Sequence, residues 1–230
     1  MIDGRVLVGA TAYGKHLFHE FGDDTVLHVH LGLIGSFRTF RRDPPDPTAS
    51  TRLALSNGTA AAYLTGPMTC RLVTRTEVDE VVDGLGPDPL RVGLRGADVF
   101  RENLARRKIP IGAALLEQSV VAGIGNVYRA ELLFVCGIHP ETPANALGVE
   151  DAGRLWEVVV AELRHGRRVG RIVTVDPADV GARSRTRLED DERLYVYKRE
   201  GLPCRRCGTE IRRTEIAGRS IWWCPKDQVR

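Results

Sequence analysis

The sequence lacks the features that would place this chain in or across a membrane. No run of about 18 uncharged apolar residues occurs in it, and the first five residues, Met1 to Arg5, contain no apolar core of a signal peptide. Five cysteines are an odd number, and Cys70 and Cys136 lie among apolar neighbours, as free thiols in a reducing compartment do. We therefore expect a cytoplasmic protein with no membrane contact. A hydrophobic content of 43% excludes global disorder.

Excess positive charge is absent from the first two thirds of the chain and concentrated in the last third. Residues 1–163 hold 16 Lys+Arg against 20 Asp+Glu, a formal charge of −4, whereas residues 164–230 hold 17 against 10, a formal charge of +7. A basic segment of this kind indicates a surface for a polyanion such as nucleic acid. A solvated arginine surface would give the same counts, so charge alone leaves both interpretations open.

The first third of the chain predicts short β-strands separated by Gly, Asp and Pro. In the run from Val26 to Leu31, the apolar Leu27, Val29 and Leu31 share one face, as a half-buried strand requires. Several strands at close spacing favour a sandwich or barrel. The predicted strands are Val6–Ala12, Lys15–Phe21, Thr25–Leu31, Ser36–Phe40, Arg52–Leu55, Ala60–Leu64 and Cys70–Thr74.

After Thr76 the hydrophobic period becomes helical. An N-cap run beginning at Thr76 opens a short helix that stops near Gly84, and a Gly-Pro-Asp-Pro linker follows at 86–89. Residues 98–165 predict helices, and an irregular arginine-rich stretch leads on to a cysteine-containing tail. The fold prediction is therefore α+β in three parts: a β-sandwich at 1–85, a helical domain at 86–190 and a zinc finger at 191–230.

The tail carries a metal-binding pattern. Cys204 and Cys207 are separated by two residues, and Cys224 and Asp227 repeat that spacing sixteen residues later. Three thiolates and one oxygen donor at this spacing predict a tetrahedral Zn²⁺ site on a two-stranded ribbon, and we expect the short ribbon to fold only with the metal. A carboxylate is a less common zinc ligand than Cys or His, so either Asp227 completes the site or water takes the fourth position.

A helix–turn–helix is predicted around Asn126. A first helix should end near Val121, Gly123 and Gly125 should form a tight turn, and Asn126 should cap a second helix. The start of that second helix offers free N–H groups to a phosphate. No strand precedes the glycines and no third glycine follows, so a dinucleotide-binding site is disfavoured.

Five motifs, which together span nearly the whole chain, follow one another in a characteristic order. They are Gly14-Lys15-His16-Leu17; His30-Leu31-Gly32-Leu33-Ile34-Gly35; Gly86-Pro87-Asp88-Pro89-Leu90; the run from Gln118 to Phe134 with Gly137-Ile138-His139-Pro140; and the tail from Val196 through Arg219 to Pro225. These motifs resemble those of the formamidopyrimidine-DNA glycosylase / endonuclease VIII family, and residues 118–134 resemble its helix–two-turns–helix.

The resemblance implies a monomeric base-excision-repair enzyme that removes oxidised bases from double-stranded DNA and nicks the abasic site. It matches Lys15 to the family's catalytic-cleft lysine, Asn126 to its phosphate-binding turn and Arg219 to its finger arginine. Leu33 takes the position whose side chain fills the gap left by the flipped base, with Leu in place of the usual Met. Arg129 completes a Gly-Asn-Val-Tyr-Arg run that is similar to endonuclease VIII, and we expect it to bind DNA as well.

The family's nucleophile is an N-terminal proline followed by a catalytic glutamate, and neither is present at Met1-Ile2-Asp3. We expect either a true start further upstream, which the otherwise complete set of motifs favours, or an inactive module that binds lesions and abasic sites without cutting. The short segment between Asp176 and Leu194 favours oxidised pyrimidines over purines as substrates. The preferred lesion and the elimination outcome are not predicted.

A second enzyme interpretation uses the histidines of the β-rich region. His28 and His30 would share one strand face, and with His16 they supply three imidazoles, which suit a metal ion. His30 already belongs to the His-Leu-Gly motif, and histidines in strands are more often structural than metal-bound. We therefore expect the zinc site to lie in the tail alone.

Overall fold

The structure is a computed structural model that describes residues 2–229. It divides into two compact units, one ending at Gly84 and the other beginning at Leu85. The segments predicted as helical domain and zinc finger share the second unit. Within the described residues, no helix combines the length and the apolar character that crossing a membrane would need.

The first unit is a β-sandwich, as predicted, with an antiparallel four-stranded sheet ordered β1-β2-β3-β7 and a three-stranded sheet ordered β4-β6-β5. Alternation along β3 places Leu27 and Val29 in one apolar cluster and Val26 in another, so this strand is buried on both faces. The strands are β1 (Leu7–Tyr13), β2 (His16–Phe21), β3 (Thr25–His30), β4 (Ser36–Phe40), β5 (Thr51–Ser56), β6 (Ala61–Thr65) and β7 (Thr69–Val73).

Helix α1 (Arg75–Asp83) closes the first unit and begins earlier than the sequence predicted. Its N-cap is Thr74 rather than Thr76, because Thr74 and Glu77 form a reciprocal capping box. The Glu77 N–H donates to the Thr74 hydroxyl oxygen at 3.3 Å, and the Thr74 N–H donates to the Glu77 carboxylate at 2.8 Å.

The second unit packs five helices and a β-hairpin around one apolar core. The aromatic side chains of Phe100, Phe134, Trp156 and Tyr195 are all fully buried there. The elements are α2 (Pro89–Val92), α3 (Ala97–Ala105), α4 (Ile111–Ala114), α5 (Asn126–Val135), α6 (Val149–Val169), β8 (Arg212–Ile216) and β9 (Arg219–Trp223).

The prediction of a helix reaching Val121 is wrong. Helix α4 ends at Ala114, and the chain continues through successive turns, such as the one closed by the Val120 N–H donating to the Glu117 carbonyl at 2.9 Å. Val120, Val121 and Ile124 are nevertheless fully buried. A buried irregular segment and a buried helix carry similar apolar residues, so the sequence pattern could not separate them.

The finger hairpin rests on the helical core. Ile211, Ile216 and Ile221 are buried in the same cluster as the helices. Gly112 of α4 makes this approach possible, because a Cβ there would lie 3.3 Å from the Cδ1 atoms of both Ile216 and Ile221 and 3.0 Å from the Pro140 carbonyl oxygen. The ribbon therefore has apolar support in addition to its metal site.

Candidate nucleic-acid interface and metal centre

The turn before α5 is organised by Gln118. Its amide nitrogen donates to the carbonyls of Leu116 and Ile124, at 3.1 and 3.2 Å, and its amide oxygen accepts from the Gly123 N–H at 2.9 Å. Gly123 has φ +100°, a conformation that side chains other than glycine's rarely tolerate. The Gly-x-Gly pattern thus marks a tight turn, as predicted.

The N-terminus of α5 presents an uncapped set of backbone donors. Gly125 is the N-cap, and no side chain accepts from the first turn of the helix. The prediction that Asn126 caps the helix is therefore wrong, because Asn126 is its first helical residue. No acidic residue occupies the first turn either, so the free N–H groups and the positive end of the helix dipole suit an anion.

The Asn126 side chain lies between Arg129 and the finger. Its amide nitrogen donates to the Ser220 carbonyl at 3.2 Å, and its amide oxygen accepts from Nη2 of Arg129 at 2.5 Å. Arg129 is fully buried, so it offers DNA no surface, and the prediction that it contacts DNA directly is corrected to an internal role.

Arg219 is the exposed cation of this site. It begins β9, next to Ser220, and no carboxylate pairs with it or with Arg129 among residues 2–229. Burial, together with the nearby charge of Arg219, lowers the pKa of Arg129 to about 10. Two positive charges without an acidic partner beside free helix N–H groups make this region attractive to a phosphate.

The four predicted metal ligands come together. The Sγ atoms of Cys204, Cys207 and Cys224 and a carboxylate oxygen of Asp227 all lie within 4.8 Å of one another. The Cys207 and Cys224 sulfurs are 3.4 Å apart, and Cys204 Sγ is 3.1 Å from Asp227 Oδ2. A tetrahedral zinc–thiolate site has ligand separations of about 3.7 Å, so the cluster fits Zn²⁺. The ion would act structurally, because four protein ligands leave no open position for a water or substrate.

Both halves of the zinc site are tied to the helical core. The Arg206 guanidinium, between Cys204 and Cys207, lies 5.0 Å from the Phe134 ring centroid and 4.6 Å from that of Tyr195. In the other half, Gln228 accepts from the Cys224 N–H at 2.9 Å. It also donates to the Ile138 carbonyl at 2.8 Å.

Glu131 holds the chain that leads into the finger, a role that the sequence did not reveal. This fully buried carboxylate of α5 accepts the backbone N–H groups of Tyr195, Val196 and Tyr197, each at 2.8 Å, and the hydroxyl of Thr174. A glutamate inside a helix is usually a surface residue, so only its place in the Glu-Leu-Leu-Phe motif could have drawn attention to it.

In the first unit, an apolar tip is formed by two neighbouring loops. Leu33, Ile34 and Met68 are 76%, 88% and 69% exposed. The loops are joined where the Met68 N–H donates to the His30 carbonyl at 2.9 Å, and a Cβ at Gly32 would lie 3.0 Å from the Met68 Cβ. Exposed apolar side chains grouped in this way are typical of a binding surface.

Lys15 lies in the turn between β1 and β2, half-buried, next to the histidines of the four-stranded sheet. His16 Nδ1 is 2.9 Å from His28 Nε2, and the Gly32 N–H donates to His30 Nδ1 at 3.0 Å. Within the described part of the chain, the Cys204 cluster is the only place where three or more His, Cys, Asp or Glu side chains bring potential metal-ligating atoms within 4.8 Å of one another. The alternative of a histidine metal site is therefore wrong for these residues.

Comparison with known proteins gives three family matches in chain order. Residues 1–66 match the formamidopyrimidine-DNA glycosylase N-terminal domain, residues 85–176 match the formamidopyrimidine-DNA glycosylase H2TH domain, and residues 201–229 match the zinc finger found in FPG and IleRS. The matches include the sandwich, the turn before α5 and the cysteine cluster.

Individual relatives agree with these matches. Endonuclease 8 1 of Mycobacterium tuberculosis is 41% identical over 99% of this chain and 86% of its own length, and the formamidopyrimidine-DNA glycosylase of Latilactobacillus sakei is 31% identical over 99% and 82%. A solved complex of Lactococcus lactis Fpg with DNA containing an abasic site has a TM-score of 0.81 at 28% identity, covering 99% of this chain and 83% of that one. The chain belongs to the formamidopyrimidine-DNA glycosylase / endonuclease VIII family of DNA-repair glycosylases.

Proposed function

We propose that the chain acts as a monomer on damaged double-stranded DNA and, when a segment that begins Pro-Glu precedes it, removes oxidised bases, with pyrimidines favoured, and nicks the resulting abasic site. The observation that carries this proposal is the anion site of the second unit. The uncapped N–H groups of α5 and the Asn126 amide lie beside the start of β9, where Arg219 is exposed, and no carboxylate among residues 2–229 pairs with Arg219. A DNA phosphate supplies the missing negative charge.

Base removal from a duplex also requires a group that occupies the vacated space. Flipping a nucleotide costs a few kcal/mol of stacking, which an apolar wedge offsets by filling the gap. Leu33 takes the family's wedge position, and its 76% exposure leaves it available for that role. The neighbouring Ile34 and Met68 would extend the apolar contact to the adjacent bases.

The chemistry of this family requires an amine at the sugar. Its nitrogen bonds to C1′ while the bond from C1′ to the damaged base breaks and the base leaves with the electron pair. The amine then gives up its proton and the C1′–O4′ bond breaks, with O4′ taking up a proton, so that the opened sugar carries an iminium at C1′. That iminium allows loss of a C2′ proton and expulsion of the 3′ phosphate, which leaves with the electron pair of its C–O bond. We assign Lys15 to charge stabilisation at the phosphate or leaving base rather than to this attack. Its positive charge acts locally, because burial and then the charge of Lys15 lower the pKa of His30.

The preference for pyrimidines is supported by the segment after α6. In the purine-specific branch this segment usually forms a long flexible loop over the base. Here the Arg185 side chain pairs with Glu162 of α6 at 2.5 Å, which fastens the segment to the helical core, and within the segment Arg171 donates to the Leu188 carbonyl at 2.8 Å. A segment fixed in this way moves less freely than a flexible loop, so it is less able to enclose a large purine lesion.

Borohydride trapping tests the function directly. Duplexes with thymine glycol, 8-oxoguanine or an abasic site should give no covalent complex with the 230-residue chain. A version preceded by a segment that begins Pro-Glu should form the covalent complex and nick the DNA strand. It should react faster with thymine glycol than with 8-oxoguanine. Efficient trapping by the 230 residues that is lost in Lys15→Ala, but kept in the control Lys108→Ala, would make Lys15 the nucleophile and refute its assignment.

The second candidate is a lesion-binding module without chemistry, for which the anion site at the start of α5 and the exposed Leu33 would suffice. It predicts tight binding to abasic duplexes and neither trapping nor nicking by the extended chain. Equal affinity for abasic and undamaged duplexes would contradict both candidates.

A further inference from the structure

We infer that Arg129 is a positioning residue, which orients the Asn126 amide and the start of β9 so that Asn126 and Arg219 address the same phosphate. This inference rests on the proposed function for its DNA-binding consequence. The arrangement that points to it is wholly within the second unit and includes three segments far apart in sequence.

Arg129 uses its terminal nitrogens on internal acceptors. Nη1 donates to the Gly112 carbonyl at 3.0 Å, and Nη2 donates to the Asn126 amide oxygen at 2.5 Å and the Ser220 carbonyl at 2.9 Å. The remaining nitrogen, Nε, is buried and has no partner. A side chain enclosed in this way does not reach a phosphate, so its effect on DNA must pass through the groups that it holds.

The contact with Asn126 determines whether the amide oxygen or the amide NH₂ group is available to bind a DNA phosphate. An asparagine amide can exchange its oxygen and nitrogen by a half-turn of the side chain, but a guanidinium has only donors. The oxygen must therefore face Arg129, and the NH₂ group points to the Ser220 carbonyl beside Arg219. Without Arg129, the amide oxygen would lose its donor, and the Ser220 carbonyl alone would hold the amide in this orientation.

The contact with Ser220 places the finger arginine. The Ser220 carbonyl accepts from both Arg129 and Asn126, so the first residues of β9 are fastened to the start of α5. Arg219, the preceding residue, begins the strand at this fastened point. The hairpin arginine and the helix N-terminus are thereby kept at a constant separation, which lowers the ordering cost of a joint phosphate contact.

Substitution by lysine or methionine separates positioning from direct charge contact. An ammonium keeps the charge but lacks the planar fork that reaches Gly112, Asn126 and Ser220 together. Arg129→Lys and Arg129→Met should therefore weaken binding to a duplex with a tetrahydrofuran abasic analogue equally, by about tenfold, the effect of losing a charge-assisted hydrogen bond. Full affinity in Arg129→Lys would overturn the inference.

A double-mutant cycle separates positioning from a general loss of stability. Asn126→Ala should weaken binding about tenfold in the parent but less than about twofold in Arg129→Met, because there the guanidinium no longer holds the amide and the start of β9 in place. Additive losses would overturn the inference. Zinc content and tryptophan fluorescence confirm that each variant is folded, and Arg106→Ala, on the exposed end of α3, serves as a control.

Hydrogen exchange without DNA distinguishes failure of this inference from failure of the proposed function. Arg129→Met and Asn126→Ala should both speed amide exchange in residues 216–223, because each removes a donor from the Ser220 carbonyl. Should Arg129→Met fail to fold, Asn126→Ala decides the matter, and unchanged exchange overturns the coupling. If the two variants exchange faster than the parent chain but the parent binds no abasic duplex, the DNA-binding function is refuted and the internal link between Arg129, Asn126 and Ser220 is retained.

Discussion

Replacing Glu131 by glutamine tests how α5 holds the chain that enters the finger. Glutamine has the same shape, but one carboxylate oxygen becomes an NH₂ group. If the NH₂ group replaces the oxygen that faces Thr174, the threonine hydroxyl can rotate and accept a hydrogen bond from it. The Tyr195 N–H, which donates to that same oxygen in the parent, then loses its acceptor. The other oxygen keeps the N–H groups of Val196 and Tyr197, now without the charge.

The magnitude follows from these contacts. One buried N–H left unpaired costs about 2 kcal/mol, and two charge-assisted hydrogen bonds that become neutral lose about half a kcal/mol or more each, giving a total of about 3 kcal/mol. Glu131→Ala, which removes the acceptor of all three backbone N–H groups, should cost more. Glu157→Gln, on the exposed face of α6, should change stability by less than about 0.5 kcal/mol.

Urea unfolding followed by tryptophan fluorescence is the suitable assay. The three tryptophans of the chain, Trp156, Trp222 and Trp223, all lie in the second unit, so the signal reports on that unit alone. With a slope of about 2 kcal/mol per molar, Glu131→Gln should lower the urea midpoint by about 1.5 M. A shift no larger than that of Glu157→Gln would refute the assignment of Glu131 as the group that holds residues 195–197.

Three further predictions concern the metal, the wedge and pH. The purified chain should contain about one zinc, and Asp227→Cys should slow its loss to a chelator because a thiolate is the softer ligand; faster loss would remove Asp227 from the site. Leu33→Ser should reduce the fluorescence rise of 2-aminopurine placed beside a lesion, and an unchanged rise would exclude Leu33 as the wedge. Burial and neighbouring charge lower the pKa of His16 from 6.5 to about 4, and burial also lowers that of His28. The folded sandwich thus binds fewer protons than the unfolded chain, so its stability should fall as pH drops from 6.5 to 4. Hydrogen exchange in β2 and β3, corrected for intrinsic rates, should then become faster over this range. Exchange rates that do not change with pH in this way would contradict the lowered pKa values.

The parts of the fold that sequence predicted well are those in which local pattern and tertiary environment agree. Strand β3 has apolar Leu27 and Val29 at alternate positions because they share the face that packs in one apolar cluster, and the cysteine spacing follows from the ligand geometry of zinc. The predicted half-burial of β3 is wrong, because Val26 and His28 on its other face are buried as well. Gly123 was recognisable because a tight turn before a helix needs glycine's backbone freedom.

The remaining parts depend on acceptors contributed from distant segments. Arg129 is buried because carbonyls 17 and 91 residues away, on Gly112 and Ser220, converge on its guanidinium. Nothing near Arg129 in sequence distinguishes it from a surface arginine. The same holds for Glu131, whose three backbone donors lie 64 to 66 residues further along the chain.

The shared core of hairpin and helices limits how this family can be recombined. Two features form the seat of the finger, the surface on which the hairpin packs. Gly112 has no side chain and so leaves room for Ile216 and Ile221, and the Ile138 carbonyl accepts a hydrogen bond from the Gln228 amide. A finger grafted from a relative would have to match that seat as well as the four metal ligands. Exchange of fingers to alter lesion preference should therefore succeed only when α4 and the end of α5 are transplanted together with the hairpin.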